Sequence, residues 1–90
     1  MRNILNNTLK IKKYMNYDEL VRSACYFTLD NDFMSIAIIQ RQFKIDYFTA
    51  SNIIEILYNL GLIEPLQDSD KTKVIVKELS ILEDKLDLIF

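Results

Sequence analysis

Thr49, Asn52 and Glu55 stand three residues apart in a stretch of helical period, with Asn59 one turn further on. On a helix they share one side. A hydroxyl, an amide and a carboxylate in a row can do the chemistry of base recognition. Asn52 can pair with adenine, Thr49 can touch a thymine methyl, and Glu55 can accept from the cytosine amino group. A solvated helix face has the same residue types, so both readings stand at this point. Arg41, Lys44, Lys71 and Lys73 lie on either side of the stretch. Cations of this kind hold backbone phosphates and position a domain without reading sequence. Lysines on strands equally discourage edge pairing. Phe48 is the odd residue: an aromatic at the front of an exposed helix either half-buries against Tyr47 or the wing, or marks a protein contact.

The same residue inventory points away from catalysis. There is no histidine, which removes the commonest general base and metal ligand. There is no Gly-rich loop and no paired-carboxylate motif. Asp30 and Asp32 are two apart, but the other ligands of a calcium loop are missing. The expectation is a non-enzymatic protein with no cofactor and no metal. Cys25 is the single cysteine, so no intrachain disulfide forms, and its flanks Ala24 and Phe27 place it in a helix core.

Ninety residues, half of them hydrophobic, make one domain with a core of its own. Glycine and proline occur once each, at Gly61 and Pro65, too few for the turns of an all-β sandwich. The net charge is −2, whereas dedicated nucleic-acid binders are usually basic. A local patch can still do the binding. Arg2, Lys10, Lys12 and Lys13 load the N-terminal end, while Glu78, Glu83, Asp84 and Asp87 load the C-terminal end. No stretch approaches the ~20 apolar residues of a membrane span, and no signal-peptide region is visible. A cytoplasmic protein with no membrane partner is expected.

The elements follow from periodicity. Residues 1–16 read as a basic arm or short helix. Residues 17–30 read as a helix capped by Asp18, with Leu20, Val21, Ala24, Cys25, Phe27 and Leu29 inward. Phe33 and Met34 suggest a short strand, and Ser35 caps a helix over 36–43. Lys44-Ile45-Asp46 is a turn. Ala50, Ile53, Ile54, Leu57 and Leu60 form the inner face of a helix over 47–60, which Gly61 stops. Leu62–Glu64 and Lys73–Val76 read as the two strands of a wing around a polar loop. Leu79, Leu82, Leu86 and Ile89 give a C-terminal helix an apolar seam. That seam either folds back onto the chain or meets a protein partner or a second copy in a homodimer. The five tyrosines, Tyr14, Tyr17, Tyr26, Tyr47 and Tyr58, read as core and rim. The fold expected is mainly α with a small β wing: a winged helix-turn-helix over 17–76, with an N-terminal arm and a C-terminal helix over 77–90.

With these elements in place, residues 17–76 resemble the γ domain of the FtsK and SpoIIIE DNA translocases. The resemblance is carried by Asp18-Glu19-Leu20, Gln40-Arg41, Phe43, Ile45, Tyr47, Ala50, Ile53-Ile54, Leu57, Gly61 and Pro65, with Lys44 in place of an arginine. It implies a winged helix that binds double-stranded DNA at short G-rich polar sites and contacts a recombinase. The translocase motor has no counterpart here, since no G-x-x-x-x-G-K-[ST] loop is present, and a stand-alone module is expected. The departures fall on the recognition helix. Phe48 replaces an asparagine that reads bases in the family. Thr49 and Asn52 replace arginines, and Asp46 replaces a turn glycine. Arginine is the usual bidentate reader of guanine, so the physical basis for a G-rich site is gone. The leading expectation is a DNA-binding module, either a small regulator or an accessory to recombination or segregation. The alternative is a phage or mobile-element type of interaction module that binds a recombinase, translocase motor or host protein through Phe48, Leu79, Leu82 and Leu86.

Overall fold

A computed structural model describes residues 16–65 and 71–89 of the chain. Residues 1–15 of the expected basic arm, Tyr14 among them, and the polar wing loop lie outside the described residues. The elements run α1 (Tyr17–Leu29), β1 (Phe33–Met34), α2 (Ile36–Phe43), α3 (Tyr47–Asn59), β2 (Thr72–Lys73) and α4 (Leu79–Asp87). Among the described residues, four helices around a small antiparallel sheet make a winged helix, as the residue pattern anticipates.

Helix α1 begins two residues earlier than an Asp18 cap would require. Asn16 is the cap: its side chain accepts from the Glu19 N–H at 2.8 Å, and Glu19 accepts from the Asn16 N–H at 3.3 Å. This reciprocal capping box satisfies two orphan donors, whereas Asp18 sits inside the first turn and complements the helix dipole. Val21, Ala24, Cys25 and Thr28 are buried on the inner face, and Leu20, Phe27 and Leu29 are half-buried around them. Thr28 is polar yet fully buried, because its hydroxyl donates to the Ala24 carbonyl at 2.7 Å. Phe27 meets Phe43 of α2 edge to face, with ring centroids 5.7 Å apart.

Ser35 caps α2 by accepting from the Ile38 N–H, as its position suggests. Helix α2 packs on α3, and α1 packs on α3 and α4. Helix α3 ends in a Schellman motif. Gly61 takes φ +78°, its N–H donates to the Tyr58 carbonyl, and the Leu62 N–H donates to the Leu57 carbonyl. Leu57 and Leu62 are both fully buried, which completes the apolar clasp of that motif.

The wing differs in detail from the two-strand hairpin expected. Strand β2 lies between β1 and the segment after α3. It pairs with β1 in antiparallel register, Phe33 opposite Lys73 and Met34 opposite Thr72. On its other side the Leu62–Glu64 segment joins through a single bridge, Ile63 to Val74, with the Glu64 N–H donating to the Lys73 carbonyl and the Ile75 N–H to the Leu62 carbonyl. The Thr72 hydroxyl adds a 2.6 Å bond to the Glu64 carbonyl. Thr72, Val74 and Val76 are buried and Lys73 and Ile75 exposed, the alternation of a sheet with one face on the core.

Leu82 and Leu86 of α4 belong to the same core as α1 and α3, while Leu79 and Ile89 stay exposed. The apolar seam therefore divides: its middle folds back onto the chain and its ends face solvent.

Cys25 is buried, as its neighbours suggest, and desolvation pushes its thiol up to about 11 from an ordinary 9.0. The unfolded chain therefore loses this proton at lower pH than the folded chain does. The stability tied to the neutral thiol is complete below pH 9.0 and drains away as pH rises toward about 11. Unfolding free energies measured across that window are expected to fall more steeply for the wild type than for Cys25→Ala. Parallel curves would show that the thiol is not held neutral.

Candidate nucleic-acid interface

Helix α3 is held entirely from behind. Ala50, Ile53, Ile54 and Leu57 are buried, and at about 100° per residue the opposite line is Phe48, Asn52, Glu55 and Asn59. Phe48, Glu55 and Asn59 are exposed and Asn52 is half-buried. Phe48 is 73% exposed, so it does not tuck against Tyr47 or the wing. Tyr47 and Tyr58 are exposed on the flank, and Tyr17 and Tyr26 are exposed on α1.

Thr49 belongs to the helix start more than to this outer line. Asp46 caps α3, accepting from the Thr49 N–H at 2.7 Å and from the Thr49 hydroxyl as well. The hydroxyl bond first and the backbone bond second hold the Asp46 carboxyl below its ordinary range. The Thr49 hydroxyl is thus already engaged, and Thr49 itself is half-buried. The sequence signal was present, since an aspartate three residues before the threonine is N-cap spacing. The cap also fills the positive end of α3 with the chain's own anion. A helix N-terminus that would otherwise attract an anion is thereby occupied.

The four candidate phosphate anchors form two groups, and all four are exposed. Arg41 lies in the last turn of α2 and Lys44 in the turn that leads into α3. Lys71 and Lys73 lie on the wing, where Lys73 faces Phe33 across the ladder and the Lys71 ammonium sits 5.0 Å from the Phe33 ring centre. Lys77 closes the same strand segment by an ion pair to Asp32, which lowers the Asp32 pKa through the hydrogen bond first and the charge second.

Lys44 has a further distinction. It holds φ +58° and ψ +49°, the left-handed conformation, and its N–H donates to the Gln40 carbonyl at 2.8 Å to close α2. It is the one non-glycine residue with positive φ among the described residues. A β-carbon there costs roughly 1–2 kcal/mol, a strain often met at functional sites. Lys44→Gly is expected to hold or raise thermal stability, by up to about 1 kcal/mol after the entropy of glycine is counted, while weakening any anion held at the turn. A melting curve and a DNA titration on the same variant check both halves. A clear loss of stability would show that the lysine stem packs in the turn.

A groove of about 300 Å³ runs along the Tyr58 flank of α3, lined by Ile36, Ser51, Ile54, Glu55, Tyr58, Ile63 and Pro65. Sequence reasoning placed these residues on three separate elements and had no signal for the space between them. Of the four protein-contact candidates, Phe48 and Leu79 are exposed, whereas Leu82 and Leu86 are committed to the core. The last two are corrected from contact residues to core residues, because the fold-back of α4 covers them. Among the described residues no three metal-ligating side chains come together, and no helix is long and apolar enough to cross a membrane.

Comparison with known proteins bears on the whole of this geometry. A family model described as the FtsK gamma domain matches residues 15–77, more than two-thirds of the chain. No curated protein and no solved structure matches. The matched span takes in α1, α2, α3 and the wing, the elements that place both cation groups and the outer line of α3. FtsK gamma domains are DNA-binding, non-catalytic winged helices, and this chain belongs to that family.

Proposed function

We propose that the protein binds double-stranded DNA without catalysis, as a small regulator or as an accessory to recombination or segregation. The family match carries the reading: a winged-helix family that binds DNA spans the turn, the recognition helix and the wing. The exposure of Arg41, Lys44, Lys71 and Lys73 supports it. In this mechanism α3 enters the major groove, as in other helix-turn-helix proteins, and the two cation groups hold the backbone on either side. Titration of a labelled duplex at rising salt tests it. Four phosphate contacts give a log–log salt slope of roughly −3 to −4. Absence of binding even at low salt would sink the reading.

One set of observations favours a second reading, docking of a protein such as a recombinase or translocase on α3. The helix and its cap carry Asp46 and Glu55 and no lysine or arginine. Phe48, Tyr47 and Tyr58 are exposed, and the groove beside Glu55 is mostly apolar. Exposed aromatics on the helix, with Tyr58 lining an apolar groove, suit a protein partner better than a phosphate backbone. Phe48→Ala discriminates: a protein interface loses its aromatic anchor, whereas nonspecific DNA affinity is little changed. Pairing of two copies through the exposed ends of the α4 seam is a separate proposal, which light scattering would check.

A further inference from the structure

We infer that the duplex site read by α3 is A·T-rich, with one C·G pair whose cytosine faces Glu55, and that Phe48 and Asn59 rather than Thr49 complete the reading stripe. This rests on the DNA-binding reading above. The stripe Phe48, Asn52, Glu55, Asn59 steps by four, three and four residues, so it stays on one line along the helix. At 1.5 Å rise per residue it runs about 16 Å, the length of roughly five base pairs.

Each member has a preferred complement in the major groove. Phe48 is apolar and 73% exposed at the leading end, so it suits the thymine methyl. Asn52 and Asn59 each present one amide donor group and one acceptor, the pair that adenine answers through N7 and N6. Guanine offers two acceptors on that edge, and an amide would leave its own oxygen facing one of them. Glu55 is a pure acceptor while ionised, and an exocyclic amino group answers it: cytosine offers its N4 amino group, whereas adenine's N6 amino group stands beside the N7 acceptor, which opposes a carboxylate. Opposite guanine or thymine it meets a carbonyl oxygen, and the contact becomes repulsive. No ion pair to Glu55 is seen among the described residues, so its charge is not neutralised from within the fold by that route. Glu55 therefore works chiefly by exclusion, and the absence of arginine and lysine on α3 removes the donors a guanine tract needs. Thr49 drops out because it is half-buried at the helix start, off the outer line and tied to the Asp46 cap.

Selection from a pool of randomised duplexes, with the full chain at low salt, tests this. The recovered sites should be A·T-rich with one C·G pair. Glu55→Ala should flatten the preference at that pair alone, by roughly 5- to 150-fold, and Asn52→Ala should do the same at a neighbouring A·T pair. Glu55 is exposed, so its removal leaves the core intact, and an unchanged melting curve keeps the comparison clean. A bound pool enriched in guanine runs, or one with no base preference, overturns the inference and leaves DNA binding standing. A pool from which nothing is recovered at low salt defeats both.

Discussion

Leu82→Ala is expected to lower the unfolding free energy by about 2–5 kcal/mol. The side chain is fully buried, in one core with α1 and α3, and removing it leaves a void the neighbouring helices cannot close. A domain of this size has about 5–15 kcal/mol in hand, so the loss is a large fraction of the whole. Leu79 on the same helix is 51% exposed, and Leu79→Ala is expected to stay within about 0.5 kcal/mol. Urea denaturation followed by circular dichroism measures both. The pair also separates the two fates of the α4 seam. If Leu82→Ala left stability untouched but dissolved a dimer, the residue would be an interface residue and the fold-back wrong.

The second large effect concerns DNA. Replacing Arg41, Lys44, Lys71 and Lys73 together by alanine is expected to flatten the salt slope by roughly 3 to 4, close to one per phosphate contact, and to weaken binding at low salt by orders of magnitude. All four side chains are exposed, so unfolding is not the expected cause, and a melting curve checks that. Changing Arg41 and Lys44 alone, then Lys71 and Lys73 alone, apportions the loss between the turn and the wing. The wing pair has a competing structural duty, since Lys71 lies against the Phe33 ring and Lys73 faces it across the ladder. An unchanged salt slope in the wing variant would assign those lysines to the sheet surface and leave the turn as the phosphate anchor.

Much of this architecture is legible in the residues because local and long-range signals agree. Ser35 before an apolar period and Gly61 after one mark element ends that the structure keeps, whereas the strand read at 73–76 is found at Thr72–Lys73, with a single bridge at Val74 beyond it. The α3 inner face follows from spacing alone. Other features depend on neighbours that only folding supplies. The partnership of β2 with β1 joins residues 33 and 73, and no local pattern specifies which strand lies between which. The division of the α4 seam into buried and exposed leucines is set by which of them the core and α1 cover. Asn16 was legible, since a glutamate three residues on completes a capping box, but Asp18 offered the commoner cap chemistry inside the same turn. At the candidate site the cations and the outer line of α3 were visible. The diversion of Thr49 into the cap was signalled by Asp46, and the groove was not signalled at all.

The rear-anchored mounting of α3 has a consequence for how such a domain changes over time. Its four buried residues secure the helix, while Phe48, Glu55 and Asn59 lie on the side away from the core. Exchanges on that outer line fall in the class of surface changes that usually shift stability by less than about 0.5 kcal/mol. Drift there is close to invisible to folding. A lineage can move from one target to another by single substitutions without passing through an unfolded ancestor, so the scaffold persists while the address written on it is replaced.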